Sequence, residues 1–284
     1  MTAQIIDGKT VATQIRAQTK AEVAKLDRAP ALAVIMVGDN PASAVYVRNK
    51  IKACNEAGII SIERHLPDSC SEETLLSQIE ALNRDDTVDG ILVQLPLPAQ
   101  IRSGLVLEKI DPDKDVDGFH IYNTGKLMTT GGGFKPCTPA GIMELLQAIG
   151  YNVEGKHAVI LGRSNIVGKP LAMLMLQANA TVTMTHSHTP DLKRYTKDAD
   201  ILVAAIGKPK FVTADMIKKG AVVIDVGVNR DENGKLCGDV DTESAKDVAG
   251  WITPVPGGVG PMTIAMLLHN TLISAQKRQK LSNQ

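Results

Sequence analysis

Tyr46 and Lys50 stand four residues apart in "SAVYVRNKIKACNEAG" (43–58). On a helix that spacing sets a phenol and an amine on one face. An amine freed of its charge by burial or by crowding donors can act as a base. Taken alone, a Tyr and a Lys four apart are usually plain helix surface. Gln94 stands inside the apolar run "ILVQLPLP". A buried amide needs partners, either as a satisfied core side chain or as a ligand-facing group at the C-terminal end of a parallel strand. The run "DPDKDVDGFH" (111–120) sets four acids around one lysine. Its spacing is not that of an EF-hand loop. It reads as a solvated loop, a loose cation site, or the source of one carboxylate able to grip an amidine-like heterocycle edge.

A different chemistry is written in "VILGRSNIVGKP" (159–170). An apolar run ends at Gly162, a polar turn follows, and a helix begins near Gly168. A Rossmann fingerprint has glycines in a G-x-G-x-x-G array; here Arg163 and Ser164 follow the first glycine. Free N–H groups and the helix dipole at such a start favour an anion, and Pro170 suits a first helical turn. A plain βα turn with two glycines fits this motif equally well. The end of the next strand adds information. An NAD site places an Asp or Glu there, roughly 20 residues on. This chain has "HSHTPDL", with His186, Ser187 and His188 and no acid before Asp191. Arg and Ser donors suit a 2′-phosphate, so NADP is the expected ligand; solvated loop residues are the alternative.

The composition is compatible with such a role. The chain has 284 residues, 44% hydrophobic and 22% charged, with a formal net charge of zero, which argues against bulk attraction to nucleic acid or to an anionic membrane surface. Aromatics at 3% leave little for base-stacking platforms. The start "MTAQIIDGKT" does not read as a secretory signal, and no apolar run is long enough to span a bilayer. Cys54, Cys70, Cys137 and Cys237 form no C-x-x-C pair, so reduced thiols in the cytoplasm are expected, without a structural metal.

The elements that must position these residues alternate along the chain. Runs at 31–37, 59–66 and 90–97 read as strands, two of them almost continuously apolar, as in buried parallel sheets. Helices are expected at 7–26 with Asp7 as N-cap, from Ser43 to a stop at Gly58, and after Ser69, which stands at capping-box spacing from Glu72. The stretch 120–141, with three consecutive glycines, reads as a loop or linker. Beyond it "HAVIL", "ATVTMT", "ADILVAAIG" and "AVVIDVG" are strand candidates, Asn233-Gly234 marks a hairpin, "TPVPGGVGPM" is a second Pro/Gly loop, and a helix runs from 263 to about 280. Two α/β lobes joined near residue 140, with the site in a cleft between them, follow from this pattern.

Seven segments, "PASAVYVRNK", "DGILVQLPLP", "PDKDVDGFH", "CTPAGI", "GRSNIVGKP", "DVGVNR" and "TPVPGGVGPMT", stand in the order found in the bifunctional methylenetetrahydrofolate dehydrogenase/cyclohydrolase family, which the chain resembles nearly end to end. The resemblance implies a folate-binding catalytic domain over 1–138, completed by the C-terminal helix 263–284, and a Rossmann-like NADP-binding domain over 139–262. It implies a homodimer that oxidises 5,10-methylenetetrahydrofolate with NADP+ and hydrolyses the methenyl product to 10-formyltetrahydrofolate. By motif, Lys50 resembles the catalytic lysine, Tyr46 the tyrosine stacked on the folate, Gln94 the glutamine that tunes the lysine, and Asp117 the carboxylate that grips the pterin. Leu95 and the segment Pro256, Gly257, Gly258 and Val259 correspond to folate-contacting positions. Gly162, Arg163, Ser164, Ile166, Val167 and Gly168 correspond to the NADP loop, Ser187 to a 2′-phosphate contact, and Val228 to a position beside the nicotinamide. A short-chain dehydrogenase would place Tyr-x-x-x-Lys after the nucleotide loop, whereas here it precedes Gly162 by more than a hundred residues. A shikimate-dehydrogenase-like enzyme would carry a glycine-richer loop. A non-catalytic NADP sensor would not need Lys50, Gln94 and Asp117 together.

Overall fold

Near-continuous apolar runs form the central strands, because a strand covered on both faces has no solvent side on which to place polar residues. The computed structural model describes residues 2–282. In chain order its elements are β1 (Gln4–Ile5), α1 (Gly8–Val23), β2 (Ala31–Val37), α2 (Pro41–Ala57), β3 (Ile60–Leu66), α3 (Glu72–Arg84), β4 (Gly90–Val93), α4 (Ser103–Lys109), α5 (Ile121–Thr129), α6 (Cys137–Ala148), β5 (His157–Leu161), α7 (Gly168–Gln177), β6 (Thr181–Thr185), α8 (Leu192–Thr196), β7 (Ile201–Ala204), β8 (Val222–Asp225), β9 (Asn229–Arg230), β10 (Leu236–Cys237), α9 (Thr242–Ala245), β11 (Trp251–Ile252) and α10 (Val259–Ser282). They fall into two compact units, Met1–Thr13 with Pro136–Thr263, and Gln14–Lys135 with Ile264–Gln284.

The first unit holds a six-stranded sheet in the order β1-β11-β8-β7-β5-β6, every neighbouring pair parallel. Its core includes Val159, Leu161, Leu202, Val223 and Ile252, all at most 1% exposed. The chain passes from β5 out to β6 and then back across β5 to β7. The strand order therefore reverses between β5 and β7, the position where open α/β sheets bind ligands beyond their carboxyl ends. The turn signal Asn233-Gly234 is borne out by the antiparallel pair β9–β10. The strands β1 and β11 were not expected from the sequence. Two residues are too few to show a period.

The second unit is built on a parallel sheet in the order β3-β2-β4. β4 is wholly buried and β2 nearly so, whereas β3 is an edge strand with several exposed positions. Ile35, Leu75, Ile79 and Ile91, each fully buried, contribute about 1.5–3 kcal/mol apiece.

Asp7 caps α1 as expected, accepting from Lys9 N at 3.0 Å and Thr10 N at 3.2 Å. α2 begins at Pro41 rather than Ser43, because the Asn40 side chain takes the Ser43 N–H at 3.1 Å and Pro is suited to a first helical position. It stops at Gly58, whose φ of 77° is the left-handed conformation that glycine adopts freely. Ser71, not Ser69, caps α3, its Oγ accepting from Thr74 N at 3.1 Å. Glu72 is drawn away from a capping box by Arg102, which donates its N–H at 2.8 Å and its Nε at 3.1 Å.

The stretch 120–141 is not a linker throughout, since it contains α5 and the start of α6. Tertiary bonds override its weak helix propensity. His120 Nδ1 accepts from Tyr122 N at 3.0 Å. The buried Asn123 donates to Pro112 O and Asp115 Oδ2, both at 2.9 Å.

Candidate functional site

β2, β4 and α2 position the lysine and the glutamine. β4 ends at Val93, earlier than the expected 97, because Pro96 and Pro98 cannot extend a ladder. Gln94 N still bonds Ile35 O at 2.9 Å, so the side chain is held at the carboxyl end of the sheet. α2 brings Lys50, 8% exposed, to that end, where its Nζ donates to Gln94 Oε1 at 3.1 Å. The amide's own Nε2 donates to Leu95 O at 2.6 Å, which fixes the oxygen toward the amine. Tyr46, one turn earlier, is 42% exposed. Cys54, one turn later, is fully buried, and burial pushes its thiol up to about 12, so it stays protonated and unreactive.

The acid run separates into distinct roles. Asp115 bridges alongside Ile91 of β4, and its buried carboxylate accepts from Phe119 N at 3.2 Å, His120 N at 2.9 Å and Asn123. Burial raises it to about 6 despite these bonds. Asp115 is thus committed to holding the start of α5. Asp117 lies two residues further toward the end of β4 that carries Gln94 and is half-buried. Lys114 is fully buried, not the solvated cation the run suggested. Its Nζ donates to the carbonyls of Leu82, Asn83 and Asp85 at 2.7–2.9 Å, closing the C-terminus of α3, where carbonyls lack partners and the dipole favours a cation.

In the first unit, the turn after β5 packs closely. Gly162 has φ 112°, and a Cβ there would come within 2.2 Å of Ala205 O; a Cβ on Gly168 would come within 2.2 Å of Gly162 O. Both glycines are sterically required. Ser164 Oγ accepts from Val167 N at 3.1 Å and Gly168 N at 3.3 Å, closing the helix start while its hydroxyl hydrogen can still donate. Beside this turn lies a cavity of about 380 Å³. Gly162, Arg163 and Ser187 line it, with His186. Ser164, Ile166, Val167, Gly168 and Val228 lie outside its lining, and Ile166 and Val228 are exposed.

The sequence reading missed Thr189, Leu192, Ala205, Ile206, Lys208 and Phe211 on the same walls. Their signal was position: all follow the carboxyl ends of β6 and β7. Pro256, Gly257, Gly258 and Val259 belong to the first unit. Gly257 O accepts from Lys9 N at 3.1 Å, and a Cβ on Gly8 would come within 1.8 Å of Gly258 O, so this loop is seated on the start of α1. Among the described residues no group of three or more His, Cys, Asp or Glu is placed to hold a metal ion, and no helix is long and apolar enough to cross a membrane.

Family models match almost the whole chain: the tetrahydrofolate dehydrogenase/cyclohydrolase catalytic domain over residues 6–117 and the NAD(P)-binding domain of the same family over 136–279. The bifunctional protein FolD of Methylibium petroleiphilum is 60% identical over 98% of this chain and 99% of its own length. The crystal structure of the bifunctional FolD methylenetetrahydrofolate dehydrogenase/cyclohydrolase from Campylobacter jejuni matches with a TM-score of 0.96 and 50% identity, over 97% of this chain and 99% of that one. That of the Trypanosoma brucei dehydrogenase-cyclohydrolase, complexed with NADP cofactor and an inhibitor, matches at 0.93 and 40%, over 98% of each chain. The chain belongs to the tetrahydrofolate dehydrogenase/cyclohydrolase family.

Proposed function

We propose that this protein oxidises 5,10-methylenetetrahydrofolate to the 5,10-methenyl form with NADP+ and hydrolyses that product to 10-formyltetrahydrofolate. What supports it most directly is the hydrogen bond from Lys50 Nζ to Gln94 Oε1 at 3.1 Å, which holds an amine at the carboxyl end of the sheet. The methenyl group is a cationic electrophile, so hydrolysis needs only a proton acceptor and relay for the attacking water. Lys50 supplies these, Gln94 orients it, and Tyr46 and Leu95 contact the folate. Asp117 grips the pterin, and the 256–259 loop covers the substrate.

Gly162, Arg163, Ser164, Ile166, Val167, Gly168, Ser187 and Val228 serve the cofactor. The glycine-built turn and the cationic wall around Arg163 fit an anionic dinucleotide. NADP+, when bound, accepts the hydride. Arg163 and Ser187 hold the 2′-phosphate. The product feeds the formyl-requiring steps of purine biosynthesis, and the same folate pool serves methionine and histidine biosynthesis. The enzyme acts in the cytoplasm as a homodimer.

The test is absorbance at the NADPH wavelength with and without methylenetetrahydrofolate, followed by loss of the methenyl absorbance. No folate-dependent NADPH formation would overturn the dehydrogenase assignment. Persistence of added methenyltetrahydrofolate at its spontaneous rate would overturn the hydrolytic one.

A further inference from the structure

Asp225 and Asp239 are buried carboxylates, 1% and 0% exposed, that the chemistry above does not use. Asp239 Oδ2 accepts from Ile206 N at 2.7 Å and Gly207 N at 3.0 Å, and its Oδ1 accepts from Lys208 N at 2.8 Å and Asn229 Nδ2 at 2.8 Å. Three successive backbone N–H groups converge on one anion. That is the concave arrangement in which loops bind phosphates, here filled by the protein's own side chain. Ile206 and Lys208 line the same cavity as Gly162, Arg163 and Ser187. Asp239 is itself fixed, its N–H donating to Asp225 Oδ1 at 2.9 Å while Asp225 also takes the N–H groups of Gly227 and Val240. Both approaches require glycine: a Cβ on Gly238 would fall 1.8 Å from Asp225 Oδ2, and one on Gly227 would fall 2.4 Å from Asp239 Oδ1.

We propose that Asp239 is a positioning residue for the dinucleotide pocket, its carboxylate holding the 206–208 loop as a wall against the Gly162–Arg163 turn. It lies outside the cavity lining and acts through the loop. This rests on the cavity being the NADP site. Gly207 and Lys208 are exposed, so without the carboxylate this wall would move. A neutral amide cannot substitute, because only one of its two polar atoms accepts, and its NH2 would face N–H donors.

The test is Asp239→Asn in the full chain, titrated with NADP+ by calorimetry, which reads stoichiometry and Kd separately. Loss of the wall raises Kd by about tenfold or more, with stoichiometry near that of the wild type, as expected for a buried acceptor withdrawn from its donors. A purely structural role would lower the stoichiometry through unfolded protein and leave Kd alone; an unchanged Kd overturns the proposal. Hydrogen exchange of the ligand-free wild type keeps the proposal testable if the variant does not fold. The amides of Ile206, Gly207 and Lys208 exchange about 100-fold or more slower than in an open loop, and exchange at open-loop rates would overturn it. A wild type that takes up no NADP+ refutes the assignment of the pocket, whereas the exchange rates bear on Asp239 alone.

Discussion

Replacing Lys50 by Met separates the two reactions. Methionine keeps the unbranched apolar stem in a site that is 8% exposed and removes the amine that bonds Gln94. Volume-conserving changes of this kind cost less than about 1.5 kcal/mol. The lost hydrogen bond to Gln94, about 0.5–1.5 kcal/mol, is offset in part by no longer burying a polar amine. The variant therefore folds, with a melting temperature within a few degrees of the wild type. Hydrolysis loses its proton acceptor, worth about 10²–10⁴-fold, or about 2.7–5.4 kcal/mol of barrier. Hydride transfer depends on alignment and needs no proton acceptor, so dehydrogenase activity keeps a measurable fraction, reduced by whatever the amine contributes to placing the folate. The assay is one progress curve read at two wavelengths. NADPH rises, and methenyltetrahydrofolate accumulates instead of being consumed. If Lys50→Met hydrolyses added methenyltetrahydrofolate at the wild-type rate across neutral pH, Lys50 is an ordinary helix lysine and the chemistry assigned to it is wrong.

Arg163→Ala should raise KM for NADP+ by about tenfold or more, as expected for a charged hydrogen-bond donor to phosphate, and barely change KM for NAD+; equal effects on both would remove the 2′-phosphate contact. Asp117→Ala should weaken folate binding by about tenfold or more and lower both activities, and an unchanged folate Kd by calorimetry would exclude Asp117 as the pterin ligand. Burial raises Asp225 from 3.8 to about 6, so the folded protein binds this proton more tightly than the unfolded chain does. The resulting stability, about 3 kcal/mol at most, is present below pH ~4 and lost as pH rises toward ~6. The wild type should accordingly lose stability relative to Asp225→Asn from pH ~4 through ~6, levelling off about one pH unit above the folded value; a pH-independent difference in chemical denaturation would show that burial does not govern this group.

Much of the scaffold is written locally. A run such as 31–37 must be covered on both faces, Asp7 and Gly58 carry helix signals within a few residues of where they act, and Asn233-Gly234 closes its own hairpin. Tyr46 and Lys50 share a helix face by spacing alone. The Lys50–Gln94 bond joins residues 44 apart and depends on β4 lying beside β2. The short strands β1 and β11 exist because a sheet edge was there to pair with. In 120–141 the glycines at 131–133 do lie in a loop, but residues 121–129 before them form a helix that Asp115 and Asn123 anchor. Lys114, an apparently solvated charge among acids, is buried because three carbonyls at the C-terminal end of α3 converge where its chain passes. Asp239 reads as one acid in a polar turn until folding brings the end of β7 to it across more than thirty residues. Periodicity and capping encode neighbours three or four positions away, whereas a buried polar group takes its meaning from partners that only the closed chain supplies.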